Sequence, residues 1–249
     1  MIGFETAGCG PTKVFMLHDW LGDRTTYEPA RPSLDQSRFT WVFPDLRGYG
    51  LSRDLDGFTL DHATADLLAL SDSLGGGEFA VAGHSMTGMV ALKLAAHHPD
   101  RVRKVILAAP ATASGLQLDA AGQAFFAAVA VDQAACRDIV AAVTGGRYGA
   151  GWLDYKARRS RETSTEAARL GYLHGMLLSG GFAADYGSLA ASVMVVTGAH
   201  DTDGFREQDL RAALSGVPRC RFETILEAGH YPMQETPVRF AALVQDFLS

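Results

Sequence analysis

Short apolar runs alternate with stretches of helical periodicity through the first half of the chain. Lys13-Val14-Phe15-Met16-Leu17 is an apolar run ending in a polar and glycine cluster, as a buried parallel strand does. Phe39-Thr40-Trp41-Val42-Phe43 is the next, closed by Pro44. Residues 60–74 carry Leu60, Ala63, Leu67, Leu68 and Leu70 at helical spacing, and Gly75-Gly76-Gly77 stops that helix. A strand over residues 79–82, a helix from Met86 to about His98 and a strand over residues 102–107 follow. Pro99 ends the second helix, because proline lacks the amide donor and clashes with the preceding turn. Strands and helices alternating through short connections imply βαβ units. The fold class is therefore α/β, with a mostly parallel central sheet and flanking helices.

The rhythm breaks after Pro110. Residues 112–186 show no clear strand, only alanine-rich helical stretches such as 123–131 and 134–143. The alternation resumes with a strand at 192–197, continues through 207–214 and 221–226, and ends in a helix after Pro237. Thr236-Pro237 suits an N-cap followed by proline at the first helical position. Residues 1–111 and 187–249 are thus expected to form one core, with 112–186 as a helical cap inserted between two of its strands.

Composition narrows the partners. Of 249 residues, 47% are hydrophobic and 20% charged, enough to bury a sizeable core. Twenty-two Lys and Arg against 28 Asp and Glu leave a net charge of −6, so no basic surplus favours nucleic acid or an anionic membrane. A small-molecule substrate is the expected partner. Cys9, Cys136 and Cys220 are widely separated and lack metal-ligand spacing, which argues against a disulfide framework and a cysteine-built metal site. The first residues lack the basic and apolar regions of a signal peptide, and a cytoplasmic location is the expectation.

Three local signals carry chemistry. Gly83-His84-Ser85-Met86-Thr87-Gly88 lies between a strand and a helix, where a sharp turn lifts a serine hydroxyl clear of the sheet. Thr197-Gly198-Ala199-His200-Asp201 puts a carboxylate after a later strand, and Gly229-His230-Tyr231-Pro232 puts a histidine after the last one. Alone, each has an ordinary reading as a cap, a turn former or a packed loop residue. Together they stand in the order Ser85, Asp201, His230, each at the carboxyl end of a strand, where parallel sheets open their ligand crevice. Serine is a weak nucleophile until a base takes its proton, and an acid fixes the base's tautomer and steadies its cation. Asp203 is the alternative acid if the loop is shifted.

On these motifs, with His18-Asp19-Trp20-Leu21-Gly22 after the first strong strand and Asp45-Leu46-Arg47-Gly48-Tyr49-Gly50-Leu51-Ser52 after the next, the chain resembles an α/β-hydrolase-fold serine hydrolase over nearly its whole length. The resemblance implies a nucleophile at Ser85, a base at His230 and an acid at Asp201. It implies an oxyanion hole from the backbone N–H groups of Trp20 and Met86, and no metal or organic cofactor. Two residues depart from the pattern. Asp19 replaces a glycine beside the oxyanion site and is expected to turn away and hydrogen-bond locally. Thr87 replaces the last elbow glycine, where its β-branch must fit between strand and helix.

The cap is expected to cover the crevice, with His18, Phe125, Trp152 and Tyr155 as candidate pocket residues. The run Lys156, Arg158, Arg159, Arg161 is expected on a solvated helix face, answering Glu162 and Glu166. The expected reaction is hydrolysis of a small carboxylic ester, lactone or thioester through an acyl-enzyme. The same triad serves C–C bond hydrolysis, perhydrolysis or acyl transfer. From another class stands a hydrolase-like ligand receptor with slow turnover.

Overall fold

In the computed structural model, which describes residues 1–249, seven strands form one sheet: β1 (Phe4–Ala7), β2 (Thr12–Leu17), β3 (Phe39–Pro44), β4 (Phe79–His84), β5 (Val102–Ala108), β6 (Ser192–Gly198) and β7 (Cys220–Ile225). Their order is β1-β3-β2-β4-β5-β6-β7, with β1 antiparallel to β3 and every other neighbouring pair parallel. All six residues of β4 are buried, as are the last four of β2 and β5. Helices on both faces explain such continuous apolar runs. The sequence reading missed β1, because its four half-exposed residues at the sheet edge carry no apolar run.

Two helices flank the first half, α1 (Leu60–Ser73), capped by the Thr59 hydroxyl, and α2 (Gly88–His97). Between β5 and β6 come α3 (Ala120–Val131), α4 (Gln133–Val143), α5 (Ala150–Thr163) and α6 (Glu166–Tyr172), the last running into a π-helical turn at Leu173–Leu177. Asp119, Asp132 and Thr165 cap α3, α4 and α6 through their side chains, satisfying amides that a helix start leaves unpaired. Val129, Val140 and Leu173 from this segment join the same apolar core as the sheet. The chain closes with α7 (Glu207–Ala213), α8 (Pro232–Glu235) and α9 (Pro237–Leu248). Pro237 opens α9 as expected, but Thr236 does not cap it. Its hydroxyl instead donates back to the Pro232 carbonyl at 3.1 Å, because the short α8 ends there. No helix is long and apolar enough to cross a membrane.

The basic run on α5 departs from its expected solvated face. Arg161 donates to the carbonyls of Val129, Ala130 and Asp132 at 2.6–2.7 Å, closing the exposed end of α3. Arg159 reaches the Thr25 hydroxyl at 3.1 Å and the Asp23 carboxylate at 3.5 Å. Lys156 is buried, with its ammonium 4.0 Å from the centre of the Tyr231 ring. Arg158, 3.6 Å from Glu162, keeps the solvated arrangement, and Arg159 keeps part of it at 3.9 Å from the same carboxylate. Long basic side chains lie along apolar surface and seek carbonyls when helices pack, and sequence spacing alone does not reveal that.

Candidate active site

The chain turns sharply at Ser85, whose φ of +53° lies in the left-handed region that side chains avoid. Two neighbours hold this turn. A Cβ on Gly88 would sit 2.5 Å from the Pro110 side chain, so the close approach that demands glycine falls one position later than expected. Thr87 is fully buried and supports the turn: its hydroxyl oxygen accepts the His84 N–H at 3.0 Å, and its one proton faces the His84 carbonyl at 3.0 Å and the Leu17 carbonyl at 3.2 Å.

Ser85, Asp201 and His230 come together from the ends of β4, β6 and β7. His230 Nε2 is 2.9 Å from Ser85 Oγ, and His230 Nδ1 is 2.7 Å from Asp201 Oδ2. An ionised Asp201 accepts the Nδ1 proton, which leaves the Nε2 lone pair facing the serine hydroxyl. Asp201 is itself buried, and its other oxygen accepts the Thr202 N–H at 2.8 Å. Gly198 lets the two loops meet, since a Cβ there would lie 2.1 Å from the Gly229 carbonyl oxygen. Asp203 points into solvent and pairs with Arg206 at 3.0 Å, away from the histidine. Burial disfavours the His230 cation, but Asp201, with Asp19 and Glu235 farther off, raises its pKa above the ordinary histidine value.

Hydrogen bonds hold the loop after β2 at His18, Asp19, Trp20 and Leu21. His18 accepts the Leu46 N–H at Nε2 (3.1 Å) and donates from Nδ1 to the Asp19 carbonyl (2.7 Å). Trp20 receives the Tyr49 hydroxyl on its carbonyl (2.8 Å) and sends its indole N–H to the Arg169 carbonyl (2.8 Å). The Asp19 carboxylate accepts from the Leu21 N–H at 3.2 Å and the Thr26 hydroxyl at 3.1 Å, with His84 Nδ1 3.6 Å away. It therefore bonds locally and is buried, but it does not turn wholly away, since it also lines the cavity that contains Ser85. Burial opposes its ionisation, yet His84 and the charge of Lys156 hold its carboxyl far below the usual carboxylate range. Burial likewise lowers the pKa of His84, opposed by the nearby Asp19 carboxylate.

A cavity of about 220 Å³ opens over Ser85. Eleven of its fifteen lining residues are hydrophobic, and none is lysine or arginine. Trp20 lines it, its ring stacked on Phe126 at 5.7 Å, and Met86 follows Ser85 directly at the start of the turn into α2. Of the candidate pocket residues, Phe125 lines the cavity, while three do not. His18 is consumed in bracing its own loop. Trp152 packs edge-on against Tyr231 at 6.0 Å. Tyr155 is 45% exposed and faces a separate polar cleft beside Asp23 and Lys156. Their places in the α5 helix turn them to other surfaces. The walls that the sequence reading did not name include Leu116, Ile139 and Phe205, ordinary apolar residues on three different segments. It also passed over Glu235, a buried carboxylate two residues before the start of α9 that binds the His230 loop. No group of three His, Cys, Asp or Glu side chains is arranged to hold a metal ion.

A family model described as "Alpha/beta hydrolase family" matches residues 14–243. Among curated proteins, a pimeloyl-[acyl-carrier protein] methyl ester esterase of Nitrosomonas europaea is 39% identical over 108 residues, 43% of this chain and 40% of that one. Lipase LipV of Mycobacterium tuberculosis is 44% identical over 70 residues, 28% of this chain and 27% of that one. The chain thus spans well under half the length of these relatives. Among solved structures, a bromoperoxidase from Bacillus anthracis superposes with a TM-score of 0.85 at 19% identity, covering 98% of this chain and 94% of that one. An esterase from Exiguobacterium antarcticum gives 0.83 at 20% identity, covering 100% and 96%. At such identities the likeness concerns the fold.

Proposed function

The chain belongs to the alpha/beta hydrolase family, and from that premise we propose that it is a serine hydrolase cleaving small carboxylic esters through an acyl-enzyme. The unbroken relay Asp201–His230–Ser85, opening on an apolar cavity, carries this reading. Ser85 Oγ attacks the ester carbonyl while His230 Nε2 takes its proton. Asp201 holds the ring's tautomer and steadies the imidazolium. The backbone N–H groups of Trp20 and Met86 receive the charge that develops on the carbonyl oxygen. His230 then gives the proton to the departing alcohol. Water activated by the same ring releases the acid and returns Ser85.

The pocket selects the acyl group. At about 220 Å³ it is smaller than the ~300–1,000 Å³ of drug-sized sites, which favours short chains. With no cation in its lining, it favours neutral acyl groups over those carrying a free carboxylate. Local identity to a methyl ester esterase and to a lipase supports an ester as the bond broken.

Hydrolysis of p-nitrophenyl esters from acetate to octanoate, compared between the parent and Ser85→Ala, tests the proposal. Turnover best with the shorter chains and lost in the variant is expected. Activity that survives in Ser85→Ala overturns Ser85 as nucleophile, and a folded parent inert toward every ester overturns the esterase reading.

A further inference from the structure

The backbone around His230 is held at four consecutive points. The N–H groups of Gly229 and Tyr231, on either side of the histidine, both donate to the Glu235 carboxylate at 2.8 Å. The N–H of His230 itself donates to the Val143 carbonyl at 3.0 Å. The His230 carbonyl accepts His84 Nε2 at 2.7 Å. Two of these partners lead out of the sheet and into the helical segment between β5 and β6. Val143 is the last residue of α4. Four residues on, Arg147 pairs with the Glu235 carboxylate and donates to the Glu227 carbonyl at 2.9 Å, while the Tyr148 hydroxyl donates to Glu235 at 3.1 Å. The Glu235 side chain is 1% exposed and that of Arg147 25% exposed.

We propose that Glu235 and Arg147 are positioning residues, a latch through which the helical segment 112–186 sets the place and the charge state of His230. The arrangement is specific in its chemistry. One carboxylate with two oxygens accepts two backbone donors, a guanidinium and a phenol, so its valences are filled only when the α4–α5 connection is seated on the His230 loop. If that connection lifts, the Val143 carbonyl and Arg147 leave together. His230 then loses its amide partner, and Glu235 loses its counter-charge. A ring that must sit within hydrogen-bond reach of Ser85 tolerates little of this. Seating of the helical segment is therefore a condition of activity, and it closes the apolar cavity with the same movement, since Val143 also lines that cavity.

Charge gives the latch a distinctive readout. The groups facing His230 are Asp201, Asp19, Glu235 and His84, and those facing Glu235 are Arg147 and Tyr148. The Glu235 carboxylate favours the His230 cation, and Arg147 offsets it. Glu235→Gln removes the negative charge and lowers the His230 pKa. Arg147→Ala leaves that charge uncompensated and raises it. Simple loosening of the loop does not move the two variants in opposite directions.

The latch rests on the proposed serine chemistry for its kinetic consequence but not for its titration. Two measurements on the full chain therefore keep them apart: pH profiles of kcat/KM with a p-nitrophenyl ester, and the His230 pKa from ¹⁵N NMR of the imidazole. Arg147→Ala is expected to lower kcat by about ten- to a hundredfold with little change in KM, the scale of a roughly 1 Å misplacement of a catalytic group. Arg147→Lys should recover part of it. The NMR titration should move down in Glu235→Gln and up in Arg147→Ala. Parent-like kcat and an unmoved His230 titration in Arg147→Ala overturn the latch, even if Ser85→Ala is inactive. A parent without ester turnover overturns the proposed function, while opposite NMR shifts still uphold the latch.

Discussion

Asp19→Ala tests whether the Asp19 carboxylate anchors the loop after β2. The substitution deprives the Leu21 N–H of its acceptor and frees the Thr26 hydroxyl, both at sites shut off from water. An orphaned buried donor costs about 1–3 kcal/mol and a lost hydroxyl bond about 1 kcal/mol, so we expect a loss of about 2–4 kcal/mol. For a chain of this length that lowers Tm by roughly 5–15 °C. Asp19→Asn keeps one acceptor oxygen and should lose about half as much. The pH dependence has a definite sign. Asp19 ionises far more readily folded than unfolded, so its contribution is complete above the unfolded pKa of about 3.9 and is lost progressively as pH falls from there toward the much lower folded value. The gap in Tm between parent and Asp19→Ala should be widest at pH 7 and begin to narrow toward pH 3. Differential scanning calorimetry at the two pH values measures it. Because Asp19 also favours the His230 cation, the acid limb of kcat/KM should shift to lower pH in the variant. A Tm at pH 7 within about 2 °C of the parent's, smaller than the roughly 2–4 °C expected per kcal/mol, would refute the anchoring role.

Two further substitutions probe the elbow and the pocket. Thr87→Val keeps the shape but leaves the buried His84 N–H unpaired beside Ser85. We expect about 1–3 kcal/mol lost in urea unfolding and a fall in kcat, whereas an unchanged stability would show that the hydroxyl does not hold the turn. Phe126→Ala removes the ring stacked on Trp20 and enlarges the cavity. The preferred p-nitrophenyl ester should lengthen by several carbons, and an unmoved optimum would mean that this wall does not bound the acyl group.

Much of this arrangement was legible in the chain because it depends on local chemistry. Apolar runs such as Val14–Leu17 lie where both sheet faces are covered, so burial is written into consecutive residues. A serine between glycines after a strand, and a histidine framed by Gly229 and Pro232, announce turns that the backbone itself requires. What the sequence concealed depends on packing between distant segments. The edge strand β1 has only four residues and a half-exposed pattern, so its pairing with β3 leaves no periodic trace. Lys156 and Arg161 sit in a run that looks solvated, and only the neighbouring α3 and Tyr231 turn them inward. Trp152 and Tyr155 are large aromatic residues that do not line the cavity, whereas Leu116, Ile139 and Phe205 do. Aromatic size says nothing about which way a helix faces. Glu235 was hidden for a related reason, since two of its partners lie 87 and 88 residues away and nothing in the local pattern points to them.

In the proposed reaction Ser85 is the nucleophile and His230 its base. Mass spectrometry of the intact chain after reaction with a p-nitrophenyl organophosphate, followed by peptide mapping, reads out that activated serine. A single adduct on Ser85 is predicted, absent in Ser85→Ala and formed far more slowly in His230→Ala. An adduct elsewhere, or labelling of Ser85 that proceeds equally fast without His230, would contradict the account.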